Sequence, residues 1–111
     1  TMSFLRNFPQ KTQDNFSKNT TIGVIAANAK LTKTGATKVA MMAQDGYART
    51  ISPAHTMFDG DTIFCVATGE VEAGANVVGA LAAEVMARAI VKAVKNAESL
   101  YGLLCYKDLE M

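Results

Sequence analysis

The stretch Asn19-Thr20-Thr21-Ile22-Gly23-Val24 sets a polar tripeptide directly ahead of a β-branched apolar run. A threonine hydroxyl can attack the carbonyl that precedes it. Hydrolysis of the resulting ester frees an N-terminal threonine that carries both nucleophile and base. The base is its own α-amine, whose ordinary pKa of about 8 suits it to take the hydroxyl proton. Composition alone gives a plainer reading of the same residues, a strand start with two β-branched threonines. A second stretch, His55-Thr56-Met57-Phe58-Asp59-Gly60-Asp61-Thr62, places two carboxylates on either side of a glycine. Such a pair can share a proton or orient an ammonium group. Taken alone, the stretch is more simply a glycine-containing turn with solvated aspartates. His55 has no catalytic partner near it in sequence and reads as a hydrogen-bonded structural histidine. Cys65 falls in an apolar run and reads as core, as do Met41, Met42 and Met86; Cys105 carries no assigned role.

A short succession of elements must position these residues. Residues 1–19 mix polar residues with Phe4, Phe8 and Phe16 without a regular period, which predicts an extended arm or linker. Residues 20–111 form the folded unit. Thr21 to Ala27 is short, β-branched and apolar on both faces, which predicts a strand buried on both sides. Residues 32–50 repeat apolar side chains at helical spacing through Ala36, Val39, Ala40, Ala43, Gly46 and Tyr47, with Thr32 as N-cap. Pro53, Gly60 and the aspartates predict a loop over 51–61. A second buried strand is expected over 62–68 and a long helix over 76–99. Its apolar stripe, from Val77 to Val94, is wider than one neighbour can cover. The remainder is a tail.

The order strand, helix, strand, helix predicts an α/β unit. Two strands do not make an independently stable sheet. The expectation is therefore a fragment of a larger sheet, with the missing strands supplied by another chain or another copy.

Composition narrows the function. The chain has 111 residues, 50% hydrophobic and only 19% charged, which excludes an intrinsically disordered chain. Eleven basic against ten acidic residues leave a formal charge of +1, no basis for gripping a phosphate backbone or an anionic membrane surface. The apolar region 77–94 is broken by Glu84, Arg88 and Lys92, so it is not expected to span a bilayer. No glycine-rich phosphate loop and no metal-ligand cluster is visible, and no cofactor is expected. Two cysteines forty positions apart read as reduced thiols, and no apolar leader opens the chain, so a cytoplasmic location is expected.

Taken together, the two polar stretches resemble the small subunit of a family of N-terminal-nucleophile hydrolases. The family comprises L-aminopeptidase/D-esterases, β-peptidyl aminopeptidases and nylon-oligomer hydrolases. The similarity runs collinearly from Asn19 to the tail. It passes through Met42-Ala43-Gln44-Asp45-Gly46-Tyr47 and is strongest at Phe58-Asp59-Gly60-Asp61-Thr62 and Ala67-Thr68-Gly69-Glu70-Val71. The resemblance implies an αββα sandwich shared with a large part of the precursor, and autoproteolysis between Asn19 and Thr20. It makes Thr20 the catalytic nucleophile, positioned by Asp59 and Asp61 as in the nylon-hydrolase branch. It also implies a lysine and an oxyanion-supporting asparagine from the large part. The expected substrates are short peptides, amino-acid amides or esters, and the expected partner is a large-subunit-like chain. A truncated, non-catalytic relative that assembles with copies of itself is the alternative, and a small-ligand binder without chemistry a third.

Overall fold

The structure, a computed structural model, describes residues 19–109; of the expected arm over 1–19, all but Asn19 lies outside the described residues. Four elements form the unit: β1 (Ile22–Ala29), α1 (Lys33–Thr50), β2 (Thr62–Val71) and α2 (Ala75–Asn96). A single 3-10 turn, Tyr106–Asp108, follows in the tail. The expected strand-helix-strand-helix order is the observed one.

Because α1 carries the chain back between the strands, β1 and β2 run parallel. Ile22 pairs with Thr62, and the register holds to Ala27 opposite Ala67; it then slips, so that Ala29 faces Val71. Thr32 caps α1 as expected, its side chain accepting the Gly35 N–H at 3.0 Å. The buried face of α1 is Val39, Ala43, Gly46 and Tyr47, the i, i+4, i+7, i+8 pattern of one helix stripe. α2 buries Gly79, Ala82, Ala83 and Met86 and stops at Asn96, short of the expected Ser99. The two helices meet at small residues. A Cβ built on Gly46 would stand 2.8 Å from the Ala83 carbonyl oxygen, so the backbones touch where that side chain is absent. Ile25 and Ile63, from the strands, close the core against Val39, Ala43, Tyr47, Ala82 and Met86.

One expectation needs correction. The strands are not buried on both faces within this chain. Both helices lie on one side of the sheet, so alternate residues of each strand face away from them. Those residues are apolar: Ile22 is 68% exposed, Val24 60%, Phe64 57% and Val66 54%. A groove of about 340 Å³ also runs between β1 and the outer face of α2, lined by Val24, Val77, Leu81 and Val85 among others. The wide α2 stripe is therefore only partly covered. Contiguous apolar surface of this kind marks an interaction face rather than a finished exterior. No helix among the described residues is long and apolar enough to cross a membrane.

Candidate active site

The two polar stretches singled out in the sequence meet at the entry of the sheet. Asn19 pairs with Asp59 ahead of the strands, in the register that the strands continue. The Asn19 N–H donates to the Phe58 carbonyl at 3.0 Å, and the Asn19 carbonyl accepts the Gly60 N–H at 2.9 Å. The peptide bond joining Asn19 to Thr20 is thus held from the β2 side. Thr20 and Gly60 occupy matching positions of that register. A Cβ built on Gly60 would lie 2.9 Å from the Thr20 hydroxyl oxygen, so the glycine is what leaves room for it. Thr20 itself is exposed. Among the described residues, no side chain hydrogen-bonds its hydroxyl.

The two aspartates act separately. Asp61 Oδ1 accepts the Thr21 N–H at 3.1 Å, and its Oδ2 accepts the His55 N–H at 3.2 Å. One carboxylate therefore ties the residue after Thr20 to the loop. His55 needs this support, because it sits at φ 60°, a left-handed conformation that non-glycine residues seldom adopt. Asp59 instead closes its own turn. Its Oδ2 accepts the Thr56 N–H at 3.2 Å and the Thr56 hydroxyl at 2.7 Å, and its N–H returns to the Thr56 carbonyl at 3.1 Å. Among the described residues no hydrogen bond joins the two carboxylates, so the proton-sharing pair that their spacing allowed is not what the fold makes of them. The structure brings both to the Asn19–Thr20 junction through backbone contacts, and neither hydrogen-bonds Thr20 directly.

Tyr47 is the residue whose part the sequence did not disclose. Its period marked it as core, and it is fully buried. Its hydroxyl, however, lies 3.3 Å from the Thr21 carbonyl and 3.1 Å from the Thr62 carbonyl, spanning the starts of both strands just beneath the junction. Burial pushes its phenol pKa up, and the negative charge of Asp61 pushes it further the same way. The His55 ring packs 6.2 Å from it, and His55 Nε2 pairs with Gln44 Oε1 at 2.5 Å, which makes this a structural histidine, as expected. Cys65 and Cys105 are free thiols. Burial raises the Cys65 pKa, which keeps that sulfur in its less reactive protonated form.

Asp61 gives a direct test of the arrangement. Asp61→Asn leaves one acceptor oxygen for two N–H donors and turns its own NH2 toward one of them. Urea unfolding should show a loss of about 1–3 kcal/mol, the cost of an N–H left without a partner. An unchanged midpoint would mean that the carboxylate does not hold the loop.

Comparison with known proteins adds the family. The profile described as peptidase family S58 matches residues 3–105. A protein of Mycobacterium leprae named as an uncharacterized aminopeptidase is 48% identical over 103 residues, 79% of this chain and 28% of its own length. A protein of Mycobacterium tuberculosis with the same kind of name is 45% identical over 106 residues, 82% of this chain and 31% of its own. The 6-aminohexanoate-oligomer endohydrolase of a Kocuria strain is 32% identical over 106 residues, 84% of this chain and 29% of its own. The chain spans less than a third of the length of each of these relatives. No solved structure matches it. With a junction of this geometry and a profile match over nearly its whole length, the chain belongs to peptidase family S58.

Proposed function

We propose that this chain is the nucleophile-bearing part of an N-terminal-nucleophile amidohydrolase, with Thr20 as nucleophile and Asn19–Thr20 as the bond it cuts to free itself. The observation that carries the reading is the junction. The Asn19 carbonyl is pinned by the Gly60 N–H, and the following residue by Asp61. Among the described residues the Thr20 hydroxyl has no side-chain hydrogen-bond partner, and it lies against a glycine. After the cut, the Thr20 α-amine accepts the hydroxyl proton, the hydroxyl attacks a substrate carbonyl, and water releases the acyl group. Asp59 and Asp61 serve as positioning residues, fixing the backbone on either side of Gly60. Short peptides, amino-acid amides or esters are the substrate class, in keeping with relatives named as an aminopeptidase and an oligomer endohydrolase.

The exposed sheet face supports the second half of the reading, in which another sheet completes an αββα sandwich. Thr20 precedes Ile22 and Val24 by even steps, so the strand alternation directs it toward the same uncovered side. A large-subunit-like chain covering that side would both bury the apolar residues and bring its own groups to Thr20. Mass spectrometry of the chain assembled with its partner tests the proposal. A fragment beginning at Thr20 is the expected product. An active complex in which Asn19–Thr20 stays joined sinks the N-terminal nucleophile. The same apolar face would also suit copies of this chain, the non-catalytic alternative. Light scattering on a homo-oligomer devoid of amidase activity would favour it.

A further inference from the structure

We propose that the backbone N–H of Gly60 is the oxyanion donor for the cut between Asn19 and Thr20. We propose also that position 60 must be glycine because a side chain there would displace the attacking hydroxyl. The inference rests on the reading of Asn19–Thr20 as a self-cleaving bond. It assigns the stabilisation of that step to a group within this chain.

The Gly60 N–H bond to the Asn19 carbonyl is a rung of the parallel ladder, and the ladder breaks off at the next rung, directly beside Thr20. A regular parallel ladder in this register would send the Thr21 N–H to the Gly60 carbonyl. The structure sends it to Asp61 Oδ1 instead, at 3.1 Å, and gives the Gly60 carbonyl to the Thr62 hydroxyl at 3.0 Å. The ladder is interrupted beside the nucleophile. The bond on the other side of the break survives, from the Gly60 N–H to the Asn19 carbonyl at 2.9 Å. That carbonyl oxygen is the atom on which charge develops when the Thr20 hydroxyl attacks. Asn19 is fixed from behind by its own N–H on the Phe58 carbonyl, so the acceptor does not have to move to meet the donor.

The step balances within the chain and one water. The Thr20 oxygen bonds to the Asn19 carbonyl carbon, and the carbonyl π pair moves onto the oxygen facing the Gly60 N–H. Collapse of that oxyanion breaks the bond to the Thr20 nitrogen, which takes the proton given up by the hydroxyl. The product is an ester of Asn19 on Thr20. Water then hydrolyses it to an Asn19 carboxylate and the free Thr20 hydroxyl. The second role of Gly60 is steric. The Cβ of any other residue would sit 2.9 Å from the attacking oxygen, tighter than a relaxed contact allows.

Two variants of the complete polypeptide, with whatever partner it requires, test the proposal. Replacing Gly60 by its α-hydroxy-acid analogue exchanges the N–H for an ester oxygen and adds no atoms on Cα. The rate of appearance of the Thr20-initiated fragment should fall by about 10²–10³-fold, the usual effect of losing one oxyanion donor. The second variant, Gly60→Ala, keeps the N–H and crowds the hydroxyl; cutting should slow by about 100-fold, the scale of a misplaced reacting atom. Circular dichroism checks that each variant is folded. Cutting of a folded ester variant within threefold of the wild-type rate overturns the donor assignment. Should the ester variant not fold, N-methylglycine at position 60, which also removes the N–H, takes its place with the same expected loss and the same threefold limit; Gly60→Ala cut at the wild-type rate overturns the steric half. If the wild-type chain itself never cuts at Asn19–Thr20, the parent reading has failed and not this refinement alone.

Discussion

Thr20→Ala should leave a single uncut polypeptide and no amidase activity above background. Removing a nucleophile that acts as a unit with its base lowers turnover by about 10⁴- to 10⁶-fold in hydrolases of this chemical type. On the proposed reading one substitution should remove two functions, because the cut that would expose the base depends on the same hydroxyl. The structure also predicts what will not change. Thr20 is exposed and its hydroxyl holds no described side chain, so the melting temperature of the variant should match that of the wild type. Thr20→Ser supplies the control, since it restores a hydroxyl at the same carbon. Mass spectrometry should find the Thr20→Ala chain intact and the Thr20→Ser chain cut. A Thr20→Ala complex that still hydrolyses amides would remove this residue from the chemistry altogether.

The largest loss of stability should come from Tyr47. It is fully buried in the core cluster with Ile25, Ile63 and Met86, and its hydroxyl end lies against Gly23 of β1. Tyr47→Ala should cost about 3–5 kcal/mol, the usual penalty for emptying an aromatic site in a packed core. Tyr47→Phe keeps the packing and removes only the hydroxyl shared between the Thr21 and Thr62 carbonyls, so about 1 kcal/mol is expected. The pH dependence has a definite sign. Burial, with Asp61 as the second cause, raises the folded phenol above its ordinary 10.0, so the folded state holds its proton more tightly than the unfolded chain does. The associated stability is present below the unfolded value and is lost as pH rises through the folded one. Denaturation curves at neutral and strongly alkaline pH should therefore steepen the difference in wild type and flatten it in Tyr47→Phe. Parallel pH profiles would show that another group drives the alkaline loss.

The parts of this fold that were legible in the sequence depend on neighbours close along the chain. The α1 cap at Thr32 and the face from Val39 to Tyr47 follow from helical spacing, and the structure places both as expected. The junction was legible as a motif, because Asn19-Thr20 and Asp59-Gly60-Asp61 each stand out from their surroundings. Their contacts were not. The Asp61 bond to Thr21 joins residues forty apart, and only the parallel register brings them together. Nor could local pattern tell a strand covered by helices on both sides from one covered on a single side. Ile22, Val24, Phe64 and Val66 are apolar in either case. The end of α2 was placed too late because Ala97, Glu98 and Ser99 follow Asn96 with no glycine or proline before Gly102.

That uncovered row of side chains has a thermal consequence. Whatever settles on Ile22, Val24, Phe64 and Val66 releases the water now lying over them. Association driven by such release carries a negative heat-capacity change and weakens as the temperature falls. A complex formed through that face would hold together better at growth temperature than on ice, and a purification carried out in the cold room would work against the contact.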